Sequence, residues 1–310
     1  MPGEFADRLM AAIAAKNSRV CVGIDPVIER MPLHLQPEGW YSPGSVADNV
    51  RKFCQPLIRA VADVAVAVKF NSAFFEALGP AGPELLQDLI GAALSLELLV
   101  LTDAKRGDVG STAELYARAV FADYVPFPMR HPDAVTVNPY AGSDGVLPFV
   151  AQAQRVGGGV FVLVKTSNPS SAEIQDLDAG GRPVYRHVAE LVKGWGAEHV
   201  GASGYSSVGA VVGATWPEQL RVLRAALPQT PFLVPGYGAQ GGGAAEVLPA
   251  FDENGRGAIV NSSRGIIYAY GSERYRSRFG PKEFDRAAAA AARDMRDEIN
   301  RALGVGEFGR

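Results

Sequence analysis

Short apolar runs alternate with longer amphipathic stretches along the chain. Several of the short runs are apolar at successive positions, a pattern typical of strands buried on both faces of a parallel sheet. Turn residues bound each run, which further favours strands over helix segments. The pattern predicts eight strands, at Arg19–Asp25, Ala65–Phe70, Leu98–Asp103, Ala134–Asn138, Gly159–Lys165, Val200–Ser203, Pro231–Val234 and Gly257–Asn261.

The stretches between these runs have helical periodicity. They predict helices at Asp7–Lys16, Gly82–Ser95, Ser111–Asp123, Tyr185–Trp195, Pro217–Leu227 and Pro281–Leu303. Eight strands with helical crossovers predict an α/β fold, a (β/α)8 TIM barrel, with a doubly wound open sheet as the alternative. We expect one domain over residues 1–310, with insertions after strands 1, 3 and 5 at Pro26–Pro43, Tyr124–Pro132 and Pro169–Pro183.

The apolar run Leu9–Ala15 allows two interpretations, a signal peptide or an amphipathic first helix. Glu4 and Asp7 occupy the region that is positively charged in a signal peptide, and a predicted strand follows at once. The helix is therefore the better prediction. No apolar run approaches the roughly 20 residues of a membrane span, so we expect no membrane partner.

Composition narrows the functional classes. The 310 residues carry a formal charge of −3 and no strongly basic block, which argues against a nucleic-acid partner. Cys21 and Cys54 are the only cysteines, so a disulfide framework is excluded and a reducing cytoplasm is expected. The four histidines show no metal-ligand spacing, and we predict no metal site.

Charged side chains stand where three predicted strands end. Asp103 and Lys105 alternate, so they point to one face of an extended chain, and Lys69 ends the neighbouring strand. With Asp108 in the loop beyond, they predict an array of alternating charges, Lys69–Asp103–Lys105–Asp108, beside Asp25 at the end of strand 1. Such an array satisfies each buried charge and holds a lysine as a proton donor. A salt-bridge network without catalytic function is the alternative.

The ends of strands 7 and 8 predict a phosphate site. Glycines at Gly236, Gly238 and Gly241–Gly243 allow backbone N–H groups to approach an anion closely, and barrels often bind phosphate at this place. Arg264 adds a charged contact and Gln240 a neutral one. A flexible glycine-rich surface turn is the alternative.

These residues together resemble a known family. The segment Leu101–Thr112, with Asp103-Ala104-Lys105-Arg106-Gly107-Asp108 at its centre, is similar to the signature of the orotidine 5′-phosphate decarboxylase family, in its longer bacterial (type 2) form. The resemblance extends over most of the chain, through Val22–Pro26, Val68–Asn71, Lys165–Pro169, Pro235–Gln240 and Ser262–Gly265.

The resemblance implies a homodimeric barrel that converts orotidine 5′-monophosphate to UMP and CO₂ without a cofactor, as a step of pyrimidine biosynthesis. It also implies a role for each matching residue. Lys105 would protonate C6 of the pyrimidine, Asp103 would lie beside the leaving CO₂, and Lys69 would hold Asp103 and a ribose hydroxyl. Asp25 would bind ribose, Ser167 the pyrimidine, and Gln240 and Arg264 the phosphate, while Asp108 and Thr112 would reach into the partner's site.

Two other functional classes stay open. One is a different phosphate-binding barrel enzyme, either a Mg²⁺-dependent sugar-phosphate decarboxylase or an aldolase that forms a Schiff base through Lys105 or Lys165. Asp25, Asp103 and Asp108 could hold Mg²⁺, although the interleaved lysines already neutralise these carboxylates. The other is a non-catalytic binding protein on a barrel scaffold, which would tolerate the loss of Lys105.

Overall fold

Eight parallel strands form a closed barrel, and their order around the ring follows their order in the chain. The computed structural model describes residues 4–37, 42–123, 129–238 and 242–305. Because the last strand pairs with the first, the (β/α)8 barrel is confirmed and the open sheet is excluded. The strands are β1 (Val20–Ile24), β2 (Ala67–Asn71), β3 (Leu99–Arg106), β4 (Ala134–Val137), β5 (Gly159–Lys165), β6 (Val208–Val212), β7 (Phe232–Pro235) and β8 (Ala258–Ser262).

Helices precede and follow the strands, and all six predicted helices are found within a few residues of their expected ends. The prediction omitted two long helices, and each contains an internal proline, Pro56 or Pro148, which interrupts the helical pattern. The α-helices of the described residues are α1 (Phe5–Lys16), α2 (Pro43–Val61), α3 (Ser72–Glu76), α4 (Ala81–Leu94), α5 (Gly110–Val120), α6 (Ser143–Arg155), α7 (Ala172–Gln175), α8 (Val184–Gly196), α9 (Pro217–Ala226), α10 (Ala244–Val247), α11 (Arg264–Ile267) and α12 (Phe284–Leu303).

The sixth strand was predicted wrongly. The segment Val200–Ser203 forms a turn, which the positive φ of Gly204 (82°) continues, and the strand lies further along at Val208–Val212. The carboxylate of Asp7 accepts hydrogen bonds from the backbone N–H groups of this turn, at 2.7 Å from Ser203 and 3.1 Å from Ala202. These bonds replace a strand ladder, and they come from a residue almost 200 positions away in the sequence.

The described part of the insertion after β1 contains short 3₁₀ turns at Ile28–Arg30 and Leu33–Leu35. Tyr268 and Tyr270 hold it from the far end of the chain, since the hydroxyl of Tyr270 donates to the carbonyl of Arg30. The insertion after β5 contains a 3₁₀ turn, Pro169–Ser171, and then α7. Part of the Tyr124–Pro132 segment lies outside the described residues.

Apolar side chains fill the barrel interior at the amino-terminal ends of the strands, where α1 packs against them. The rings of Phe5 and Phe161 meet edge to face with centroids 5.9 Å apart. Gly159 leaves the space for this contact, because a Cβ there would lie 2.3 Å from the Phe5 ring. Within the run Leu9–Ala15, Leu9, Met10 and Ile13 are buried and the other residues are at least partly exposed, as expected of the predicted amphipathic helix.

No α-helix in the described part of the chain is long and apolar enough to cross a membrane.

Candidate active site

A cavity of about 310 Å³ opens at the carboxyl ends of β1, β2, β3, β7 and β8. Of the predicted site residues, it is lined by Asp25, Lys69, Asp103 and Arg264. The carboxyl ends of barrel strands are where barrel enzymes carry their catalytic groups. The cavity is therefore the candidate active site.

Asp103, in the wall of this cavity, forms ion pairs with two lysines. Its Oδ2 lies 2.8 Å from Nζ of Lys69, and its Oδ1 lies 2.7 Å from Nζ of Lys105. The Lys69 side chain is 5% exposed and that of Asp103 11%, whereas Lys105 is 45% exposed and is not among the residues that line the cavity. The fold creates this arrangement because β2 and β3 are neighbours in parallel register, with Asn71 opposite Asp103. The structure thus brings together three members of the predicted array.

The ion pairs determine the charge states of the buried groups. Burial alone would raise the pKa of Asp103, but Lys69 and Lys105 outweigh it and hold that pKa well below its usual range. Burial would likewise lower the pKa of Lys69, and the carboxylates of Asp25 and Asp103 instead raise it. Asp103 is therefore a carboxylate and Lys69 an ammonium group over the physiological pH range.

The carboxyl end of β3 is irregular at the catalytic candidates. Thr102 pairs with Val135 and Arg106 with Val137, so three residues of β3 lie opposite Thr136 alone. Within this bulge Lys105 has a φ of 48°, in the left-handed region that non-glycine residues rarely adopt. Strain of this kind costs about 1–3 kcal/mol and is concentrated at functional sites.

Two buried oxygens in the cavity lack hydrogen-bond partners among the described residues. They are Oδ1 of Asp25 and Oδ1 of Asn261, at the ends of β1 and β8. A buried polar atom without a partner is costly, so these oxygens are available to a ligand hydroxyl or amide. Asp25 was predicted as a site residue, and Asn261 was not.

The predicted phosphate side of the cavity contains Arg264, Ser263 and Gly236. Gly236 has a φ of 103°, which requires glycine at this position. Gly23 is required for a different reason, because a Cβ there would lie 1.8 Å from Oγ of Ser263. Gln240 lies outside the described residues.

Three predicted site residues lie away from this cavity. Asp108 makes no ion pair with the lysines within the described residues, and its Oδ1 accepts from the N–H of Val109 at 2.8 Å. Thr112 is exposed on α5. Ser167 is half-buried after β5, where its carbonyl accepts a hydrogen bond from Thr215 at 3.2 Å.

Residue-level reasoning missed Thr136 and Asn261. Thr136 is the polar residue of an otherwise apolar strand, Asn261 follows the apolar run of β8, and the alternation along each strand directs both side chains into the barrel. A polar residue at an inward-facing position of a buried strand was the sequence signal that could have identified them. Thr136 is 1% exposed and contacts the ion-pair network from below, and Asn261 lines the cavity wall opposite it.

The fold and the site together define a class, the (β/α)8-barrel enzymes that carry paired lysines and carboxylates at the carboxyl ends of their strands. Comparisons with known proteins identify the family within this class. The family model described as "Orotidine 5'-phosphate decarboxylase / HUMPS family" matches residues 18–276. The chain belongs to this family, as the resemblance predicted.

Relatives match the chain over nearly its full length. The orotidine 5′-phosphate decarboxylase of Rhodopirellula baltica is 45% identical over 299 residues, covering 95% of this chain and 98% of the relative. That of Caldicellulosiruptor bescii is 40% identical over 308 residues, covering 97% and 99%. Among solved structures, the OMP decarboxylase of Leishmania donovani is 33% identical with a TM-score of 0.73, covering 98% of this chain and 100% of that one.

Proposed function

We infer that the protein is a carboxy-lyase, an orotidine 5′-phosphate decarboxylase that converts orotidine 5′-monophosphate to UMP and CO₂. The observation that carries this inference is the Lys69–Asp103–Lys105 cluster at the cavity, with ion-pair distances of 2.8 and 2.7 Å. The full-length relatives with 45% and 40% identity support the same activity.

The chemistry explains why such a cluster is needed. Loss of CO₂ from C6 leaves an electron pair in an sp² orbital that the pyrimidine ring cannot readily delocalise. A fixed positive charge near C6 stabilises this carbanion electrostatically, and the effect is strongest where water is excluded. We assign this role to the ammonium group of Lys105, which then donates the proton that completes UMP.

The neighbouring residues hold Lys105 and the substrate. Asp103 accepts from both lysines and would lie beside the departing carboxylate, while Lys69 holds Asp103 and a ribose hydroxyl. The unpartnered oxygen of Asp25 suits a second ribose contact. We further propose that Ser167 binds the pyrimidine and that Arg264 and Gln240 bind the phosphate.

We propose that the reaction needs no metal or other cofactor. Both oxygens of Asp103 already accept hydrogen bonds from lysines, which leaves this carboxylate poorly suited to Mg²⁺. The decisive experiment follows the ultraviolet absorbance of orotidine 5′-monophosphate with EDTA present. Absence of turnover by the pure protein would contradict the proposed function, and turnover that EDTA abolishes would contradict the proposal that no metal is needed.

The Schiff-base alternative has a specific weakness at Lys165. Its side chain is fully buried, and its Nζ is bound by Asp176 at 2.7 and 2.8 Å, so a carbonyl substrate has no access to it. Borohydride trapping tests this alternative directly. We expect no covalent adduct with substrate at either Lys105 or Lys165.

The phosphate contacts lie far from C6, so their binding energy can serve orientation of the reacting ring. Orotidine without its phosphate should therefore react with a kcat/KM at least about 1,000-fold lower. Steady-state kinetics on the two substrates measure this ratio. Equal values would show that the phosphate side has no part in the reaction.

We propose a homodimer in which Asp108 and Thr112 reach the partner's site. Val109 and Leu115, on the same segment, are 53% and 47% exposed, and Tyr140, in the loop after β4, is 88% exposed. Large apolar side chains exposed in this way support an interface there.

We further propose that residues 1–310 form a single barrel domain located in the cytoplasm. The barrel closes from β1 to β8, and α1 and α12 both pack against it, which supports one domain. The free, buried Cys21 and Cys54 are typical of a reducing compartment.

A further inference from the structure

The bulge in β3 leaves a gap in the backbone ladder, and a side chain fills it. Asp103, Ala104 and Lys105 together lie opposite the single residue Thr136 of β4. The N–H of Lys105 has turned away from the regular ladder and donates to Oγ1 of Thr136 at 2.9 Å. A hydroxyl thus takes the place of a strand carbonyl at this point.

The same hydroxyl makes a second hydrogen bond, and the two together orient its proton. Because Oγ1 of Thr136 accepts from the backbone of Lys105, its own hydrogen is free to donate to Oδ1 of Asp103, 2.8 Å away. Oδ1 of Asp103 also accepts from Nζ of Lys105 at 2.7 Å. Thr136 therefore closes a ring of hydrogen bonds with Asp103 and both ends of Lys105.

Thr136 lies outside the cavity wall. It is 1% exposed and does not line the cavity, so it contacts the carboxylate and the lysine backbone and leaves the substrate to other residues. We propose that Thr136 is a positioning residue for decarboxylation, which holds the strained backbone of Lys105 and aims the carboxylate of Asp103. This inference rests on the proposed function, because it concerns the same site.

A purely structural threonine would make a different prediction. If Thr136 only filled space in the barrel, a residue of equal volume would preserve activity. If its hydroxyl positions the two catalytic groups, its removal lowers the rate of the chemical step while substrate affinity is kept, because the ribose and phosphate ligands are untouched.

The test compares Thr136→Val, which keeps the volume and removes the hydroxyl, with Thr136→Ser, which keeps the hydroxyl. Thr102→Val is the matched control, since Thr102 is 6% exposed, precedes Asp103 and lines a groove on the other side of β3. For Thr136→Val we expect kcat to fall about 10- to 100-fold while KM and the Kd of UMP change less than about threefold. Thr136→Ser and Thr102→Val should keep kcat within about threefold of wild type.

Each result is decisive. Wild-type kcat in a folded Thr136→Val protein, or an equal loss in Thr136→Ser, would overturn the positioning role and leave the proposed function intact. A rise in KM with unchanged kcat would also overturn it. If Thr136→Val fails to fold, as judged by circular dichroism, the serine variant still decides, since the inference requires it to stay active. No turnover by the wild-type protein would instead overturn the proposed function together with this inference.

Discussion

At the scale of single residues, the alternation of Asp103 and Lys105 was enough to place both side chains on one face of β3. The distances in the cluster, 2.8 Å to Lys69 and 2.7 Å to Lys105, depend on the pairing of β2 with β3. The threonine that completes the network comes from β4, so its part depends on a third strand. Residue types and spacing therefore predicted the charged groups, and the neutral group that orients them needed the assembled barrel.

Removal of either central charge should nearly abolish turnover. We expect Lys105→Ala and Asp103→Ala each to lower kcat/KM at least about 1,000-fold, because one loses the positive charge at C6 and the other releases both lysines. Steady-state assays measure the loss, with the exposed Lys193→Ala as the matched control. A Lys105→Ala variant with near-wild-type kcat would refute the role assigned to Lys105.

The ion pairs of Asp103 also predict an acid dependence of stability. The pKa of Asp103 is lowered in the folded state, so its stabilising contribution is present above the unfolded pKa of about 4 and is lost progressively as the pH falls from there towards the folded pKa. One carboxylate can change the free energy of unfolding by up to about 1.4 kcal/mol per pH unit.

Urea denaturation at a series of pH values between about 2 and 5 measures this dependence in the wild type and in Asp103→Asn. Because the asparagine variant has no proton to bind at this position, its stability should fall less steeply with acid. Equal slopes for the two proteins would contradict the predicted contribution of Asp103.

At the scale of elements, the insertion after β5 is tied to the barrel by Lys165. This fully buried ammonium group pairs with Asp176 and lies 4.6 Å from the ring centroid of Trp216. Gln175 adds a second tie, because its Oε1 accepts from the backbone N–H of Thr166 at 2.9 Å. Together these contacts hold the strand end that carries Ser167.

The two partners of this ion pair should respond unequally to substitution. Asp176 is 35% exposed and can be solvated alone, whereas Lys165 has no access to water. Asp176→Asn leaves a buried charge without a counter-ion and should cost about 3 kcal/mol of unfolding free energy. Lys165→Met removes that charge and should lower the free energy of unfolding by less. Denaturant titration measures the loss in both variants. A larger loss in Lys165→Met than in Asp176→Asn would contradict this account.

The wrong prediction of the sixth strand shows that local sequence patterns carry no information about distant hydrogen-bond partners. Val200–Ser203 and Val208–Val212 are both short and apolar, and periodicity does not separate them. The first became a turn because Asp7, from α1, caps its N–H groups. A partner this distant in sequence leaves no local signal.

At the scale of the whole molecule, the proposed dimer makes a complementation test possible. Lys105→Ala and Asp108→Ala proteins should each be nearly inactive alone. If each site combines Lys105 of one subunit with Asp108 of the other, every mixed dimer contains one intact site. An equal mixture that exchanges subunits freely should then regain about a quarter of the wild-type activity.

Subunit mixing after mild denaturation, followed by the ultraviolet assay, measures this recovery. Mixing Lys105→Ala with Asp103→Ala is the control, because both residues lie in the same subunit's cluster and each mixed dimer would lack an intact site. Recovery in the control, or none in the test mixture, would contradict the shared site.

The sequence by itself determined the barrel, most of its strands and helices, the identity of the charged residues at the rim and the family. These features depend on periodicity, on local spacing and on a contiguous signature, all of which are properties of neighbouring positions. Only the tertiary structure decided the location of β6, the bulge that strains Lys105 and the role of Thr136 within the site. Each of these depends on hydrogen bonds between strands or helices that are distant in sequence, and such bonds exist only once the barrel has closed.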